Sequence, residues 1–250
     1  MPLQPGSAKT SQSYVFTRTP ERPVITDTNG QKITAGAFRD DVYQLAAELA
    51  GRGVGRGSTV ALMTGNRTEA LSLRYAANLL GARVALFHEL IHKLVAPEVV
   101  ARTVRSIDAT IVLADPELEQ RASELARCEG VPAVLFLGPT ELGEDLMACA
   151  ARHTGRRLAS AAQPADDWCI RMTGGSTGIP KNVCVSFEHG SLVITARAAQ
   201  LRFLACASLA HSAGADADAT LLAGGQVILQ ASFEPGAVLA AIERERITHV

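Results

Sequence analysis

Several features are missing from this 250-residue chain. No apolar run reaches the roughly 18 residues that a membrane span needs. Lys+Arg 24 against Asp+Glu 25 leaves a formal charge of −1. There is no basic excess to neutralise a phosphate backbone, which argues against nucleic-acid binding as the main task. The N-terminal Met-Pro-Leu-Gln-Pro-Gly-Ser has neither the basic n-region nor the apolar h-region of a signal peptide, and a soluble, cytoplasmic protein is expected. Cysteines Cys128, Cys149, Cys169, Cys184 and Cys206 are odd in number and form no C-x-x-C pair. That speaks against a zinc knuckle or a disulfide framework and leaves them as small buried hydrophobes. Lysine is scarce as well: Lys9, Lys32, Lys93 and Lys181 are four of 24 basic residues, so a lysine inside a motif stands out.

What is present is ordinary globular composition, 47% hydrophobic and 20% charged. A chain of this length buries about 70–75% of its unfolded surface. Residues 1–20, rich in Ser, Thr, Gln and Pro, read as a mobile lead-in. After them strand and helix patterns alternate. Phe38, Val42, Leu45 and Leu49 recur at helical spacing and end in a Gly51–Gly57 turn. Ser58–Met63 reads as a buried strand, and Asn66 with Glu69 resembles a capping box opening a helix to about Leu80. Strands are expected at 82–87, 109–114 and 131–137, and helices at 97–107, 116–128 and 140–152. A second set has strands near 168–172, 183–186 and 226–230, with helices near 188–201 and 235–246. This alternation predicts an α/β fold with largely parallel, doubly covered sheets. A polar Arg152–Asp167 stretch holding Pro164 suggests a first α/β subdomain over 21–163 and the start of a second over 164–250. Ile247-Thr248-His249-Val250 opens a β-branched run directly after a helix, and reads as a fold that continues further.

Three motif readings compete. His88-Glu89-Leu90-Ile91-His92 matches H-E-x-x-H, which in zinc hydrolases sets two histidines on one helical face. Here the strand-like Ala82–Phe87 precedes it and Pro97 follows, so a strand-end loop is the expectation and no metal ligand is assigned. Gly174-Gly175-Ser176-Thr177-Gly178 matches G-x-S-x-G, the nucleophile elbow of serine acyl hydrolases, with Asp216, Asp218 and His249 as partners in order. An elbow needs a helix straight after the serine, whereas Pro180 and Val183-Cys184-Val185 favour a strand. The third reading takes Thr173–Val183 whole. Its glycines expose backbone N–H groups for an anion-binding nest, its hydroxyls can bond phosphate oxygens, and Lys181 adds a mobile charge. It is not a Walker loop: Gly174 and Gly178 are four apart, and Pro180 precedes Lys181. A strand–loop–strand cradle is expected, against a merely flexible Gly-Ser-Thr hairpin.

That stretch resembles the phosphate-binding signature of the adenylate-forming superfamily: acyl-CoA synthetases, aryl-acid ligases, luciferases and peptide-synthetase adenylation domains. The family pattern Thr-Ser/Gly-Gly-Ser/Thr-Thr-Gly-x-Pro-Lys-Gly-Val is matched at Thr173, Gly175, Ser176, Thr177, Gly178, Pro180, Lys181 and Val183, with Gly174 an allowed variant. Asn182 departs from the usual Gly. The flanks agree: Ile33–Leu62 resembles the family's early helix-turn-strand, and Ala76–Ala82 the next helix and turn. Leu209-Ala210-His211-Ser212-Ala213-Gly214 resembles the segment carrying an acyl-pocket aromatic or histidine, and Leu221–Gly225 with Phe233–Val250 the elements after it. The resemblance covers residues 20–250.

The resemblance implies that MgATP activates a carboxylic acid as acyl-AMP, releasing pyrophosphate, for transfer to a thiol (coenzyme A or a carrier protein) or an amine. It implies that Thr173, Gly174, Gly175, Ser176, Thr177 and Gly178 embrace the phosphates with Lys181 in support, and that His211 lines the acid site. No catalytic residue is assigned within this stretch. The family's adenine, ribose, Mg²⁺ and C-terminal lysine positions lie further along, so the C-terminal remainder of such an enzyme is an implied partner and the isolated chain is expected to be inactive. The alternatives are a non-catalytic nucleotide- or partner-binding homologue and, more remotely, a serine acyl hydrolase using Ser176.

Overall fold

A computed structural model of the chain describes residues 19–88, 94–173, 181–189 and 201–250. Two sheets carry the described strands. The larger has the order β6-β5-β3-β4-β7-β8: β6 Val134–Phe136, β5 Ala109–Ala114, β3 Thr59–Met63, β4 Arg83–Leu86, β7 Asp167–Thr173 and β8 Lys181–Ser186. Only the β7–β8 pairing is antiparallel. The smaller sheet has the order β2-β1-β10-β9, with β1 Pro23–Thr26 parallel to β10 Gln226–Leu229, β10 parallel to β9 Arg202–Ala205, and β2 Lys32–Thr34 an antiparallel edge. Strands from both sides of residue 164 therefore share each sheet.

Helices α1 Ala35–Gly51, α2 Thr68–Leu79 and α6 Ser212–Leu222 form a shared middle layer. On one side Leu45, Leu49, Leu73, Ala76 and Ala77 meet Val60, Leu62, Val84 and Leu113 of the larger sheet. On the other, Phe38, Leu71, Tyr75, Ala213 and Ala217 meet Ile25, Phe203, Ala205, Val227 and Leu229 of the smaller one. α3 Pro97–Ser106 and α4 Glu119–Ala126 cover the far face of the larger sheet, and α7 Pro235–Glu245 the far face of the smaller. The sequence explains this burial. β3 is buried at all five positions, as a central parallel strand covered on both faces must be. β9 and β10 alternate, sending Phe203, Ala205, Val227 and Leu229 to the middle layer and Leu204 and Ile228 to α7.

α1 begins at Thr34, whose hydroxyl accepts from Ala37 N–H, and ends where Gly53 takes φ +84 and Val54 N–H returns to Leu49 C=O at 3.0 Å. Two local expectations are corrected. Asn66 does not cap α2: Arg67 occupies that position and its side chain caps no helix N–H, while the Asn66 amide is used between the sheets. The helix expected over 140–152 forms only as α5 Leu146–Ala150 with a 3-10 turn to His153. Asp145 caps it through Met147 and Ala148 N–H, and Gly143 lies against the Phe136 ring, where a Cβ would come within 2.2 Å, so the chain before Asp145 follows that ring. The helix expected near 188–201 and the first 18 residues fall largely or wholly outside the described residues.

Candidate functional site

β7 and β8 form a hairpin in which Thr173 faces Lys181, Met172 faces Asn182 and Arg171 faces Val183. The strand–loop–strand arrangement is thus present, with Gly174, Gly175, Ser176, Thr177 and Gly178 in the connection; residues 174–180 themselves lie outside the described ones. A strand at Lys181–Ser186 is not the helix that a nucleophile elbow requires. Two of its three proposed partners are engaged elsewhere. Asp218 is 3% exposed and paired with Arg74, while His249 stacks on Phe203 at 4.9 Å and meets Thr220 Oγ1 at 3.2 Å.

The hairpin is tied down along its length. β7 runs parallel to β4, with Val84 beside Cys169 and Ala85 beside Ile170. Asn78 Nδ2 donates to Trp168 C=O at 3.0 Å, Arg83 pairs with Asp167 at 3.0 Å, and Arg56 with Asp166 at 2.6 Å. Asn182, the residue that departs from the family pattern, donates through Nδ2 to Ser106 Oγ at 3.2 Å and so fastens β8 to the end of α3.

Extending the β4–β7 register from Ala85↔Ile170 by three places sets His88 level with Thr173. Both lie at the carboxyl edge of the larger sheet. β3 and β5 end at the same edge, where Asp115 accepts from Gly65 N–H at 2.7 Å and from Arg67 at 3.2 Å. Burial pushes the Asp115 carboxyl up from its usual range against the pull of these two donors. Strand order reverses around β3, and open α/β sheets take their ligands at such a carboxyl-end crevice.

His211 arrives from the other sheet. It is exposed at the N-terminal boundary of α6, and its ring meets that of His88 edge to face, centroids 4.9 Å apart. His88, just past the strand next to β7, thereby brings His211 and the foot of the predicted phosphate loop at Thr173 to one edge. His88 had been visible in the sequence only as part of H-E-x-x-H; its place follows from strand register instead. Glu89 and His92 lie outside the described residues.

Behind this edge is a buried polar cluster that no sequence motif marks. Arg74 of α2 pairs with Asp218 of α6, its guanidinium carbon lies 6.0 Å from the Trp168 ring centre, and the Tyr75 hydroxyl faces the same carboxylate. Burial raises the Asp218 pKa while Arg74, Tyr75 and Arg171 lower it; burial and the nearby Asp218 charge push the Tyr75 hydroxyl well up. No helix among the described residues is long and apolar enough to cross a membrane.

Comparison with known proteins fits this architecture. The family model for the AMP-binding enzyme matches residues 13–250. A medium/long-chain-fatty-acid–CoA ligase of Mycobacterium tuberculosis is 29% identical over 230 residues, covering 87% of this chain and 40% of the relative. A feruloyl-CoA synthase of an Amycolatopsis species is 32% identical over 234 residues, covering 88% of the chain and 43% of the relative. The amide bond synthetase structure from Marinactinospora thermotolerans superimposes with a TM-score of 0.80 at 29% identity, over 96% of this chain and 48% of that one. The chain thus spans under half the length of these relatives. It belongs to the AMP-binding enzyme family.

Proposed function

We propose that the chain supplies the phosphate-binding and acid-facing portion of an ATP-dependent carboxylate–AMP ligase. The observation that carries this reading is the β7–β8 hairpin, which sets Thr173 opposite Lys181 at the carboxyl edge, beside His88 and His211, in a chain of this family. Thr173, Gly174, Gly175, Ser176, Thr177 and Gly178 would offer backbone N–H groups and hydroxyls to the β- and γ-phosphates, and Lys181 a counter-charge. His211 would line the acid site.

The chemistry then has two steps. A carboxylate oxygen attacks the α-phosphorus, the bond to the bridging oxygen breaks, and pyrophosphate leaves with that electron pair. A thiol or amine next attacks the acyl carbon, the carbon–oxygen bond to AMP breaks, and the nucleophile's proton is lost to a base. Donors fixed around the leaving pyrophosphate lower the first barrier because charge accumulates there. ATP would enter as its magnesium complex, the ion offsetting phosphate charge. No group of three or more His, Cys, Asp or Glu forms a metal site among the described residues, and no step is assigned to the ion. Since the relatives use more than twice the matched length, we propose that these 250 residues alone bind ATP without sustained turnover.

The test is carboxylate-dependent ATP–pyrophosphate exchange with a pool of fatty and aryl acids, on the gene product as encoded, with the 250-residue chain beside it. Acid-dependent exchange, lowered about 100-fold by Lys181→Ala, is expected. No exchange in the gene product would overturn the ligase reading in favour of a non-catalytic nucleotide- or partner-binding homologue.

A further inference from the structure

His211 is flanked by two buried polar anchors, both drawn from the short stretch 66–74. Before it, Asn66 Oδ1 accepts Leu209 N–H at 2.9 Å while its Nδ2 donates to Ala207 C=O at 2.8 Å and Gln230 C=O at 3.0 Å. After it, Arg74 Nη2 donates to Asp218 Oδ2, with the two side chains 6% and 4% exposed. The other nitrogen of the guanidinium, Nη1, packs on the first turn of α6: a Cβ built at Gly214 would lie 2.9 Å from it. That nitrogen has no hydrogen-bond partner among the described residues. The opposite face of the cluster is Trp168 on β7, the strand that runs to Thr173.

An ion pair at this depth is a poor source of stability, since desolvation offsets most of the attraction and apolar replacement is often neutral. A guanidinium nitrogen with no partner among the described residues lowers its value further. What such a pair does supply is direction: fork and carboxylate bond in a narrow range of geometries, where a greasy contact would slide. Here the direction it sets is that of α6 against α2, and α6 carries His211 at its start.

We propose that Arg74 and Asp218 are positioning residues for His211, holding α6 at the rotation that keeps its imidazole against His88, so that the choice of acid depends on a pair that never touches it. The part concerning the acid rests on the reading of His211 as a wall of the acid site.

Arg74→Met alone would strand the Asp218 charge, so the decisive variant is Arg74→Met/Asp218→Leu, which is similar in volume and free of buried charge. The first readout uses the 250-residue chain: the ring-proton Overhauser contact between His88 and His211 in histidine-labelled protein, assigned with His88→Ala and His211→Ala. The double variant should unfold within a few degrees of the parent yet lose that contact. If it does not fold, Arg74→Lys, which keeps the charge without the fork, is read in the same way. Retention of the contact in the folded variant, or its absence from the parent, overturns the proposal. The second readout uses the active gene product, where the variant should raise the acid KM at least tenfold and leave the ATP KM within twofold. Equal changes in both, or none, overturn it. If the parent shows no acid-dependent exchange, the ligase reading fails by itself and the imidazole contact still decides the positioning role.

Discussion

Asp41 on α1 shows what a single residue does when its surroundings disfavour its charge. Partial burial, with Asp40 and Glu69 adding repulsion, pushes its carboxyl up to about 6. A raised carboxyl keeps its proton longer in the folded state than in the unfolded one. Its contribution therefore favours folding fully below the usual 3.8 and is lost as pH rises through about 6. Asp41→Asn should accordingly raise the unfolding temperature at pH 7, by an amount worth about 1 kcal/mol after allowing for solvent screening, and give no gain at pH 3.5. Thermal unfolding at the two pH values checks this, and an unchanged melting point at pH 7 would contradict it. Residues of this kind are not legible in a sequence. Lys181 could be proposed from sequence, because it is one of four lysines and sits in a contiguous motif. Arg74 and Asp218 could not, since their meaning lies in a pairing across 144 positions, to which no local period points.

At the scale of elements, α6 is set by a close approach. A Cβ on Gly214 would fall 2.1 Å from Leu209 C=O, a backbone atom that cannot swing aside. Gly214→Ala should therefore shift the first turn of α6 and cost about 1–3 kcal/mol, as overpacking does, although alanine is the better helix former. Urea unfolding measures it, and a neutral or stabilising result would contradict the packing described. Element type was read well where the pattern was strong: β3, β4, β5, α1, α3 and α7 fall where apolar periodicity places them. Capping was read less well. Asn66 with Glu69 has the spacing of a capping box, yet the Asn66 amide finds a set of carbonyls in the other sheet, and that tertiary demand overrides the local one. The stretch 140–145 failed for a similar reason, with Phe136 governing the chain around Gly143.

In the whole molecule, two largely parallel sheets share a helical layer, and β1 pairs with β10 from the far end of the chain. A linear reading divides the chain near residue 164; parallel pairing does not respect that division, because each parallel neighbour needs a crossover and can come from far away. Asn66 is a buried polar tie between the sheets. Asn66→Asp would turn donors aimed at Ala205, Ala207 and Gln230 carbonyls into acceptors. It should cost about 3 kcal/mol, several times the effect of an exposed Asn→Asp change, by the same urea assay.

The central claim, that the Thr173–Lys181 hairpin receives the triphosphate of ATP, is tested most directly by equilibrium dialysis of MgATP and MgAMP against the 250-residue chain and its Lys181→Ala variant. The account predicts saturable ATP binding that Lys181→Ala weakens about tenfold, with AMP, which lacks the β- and γ-phosphates, little affected by the substitution. ATP binding that is equal in parent and variant, or absent from the folded parent, would contradict it.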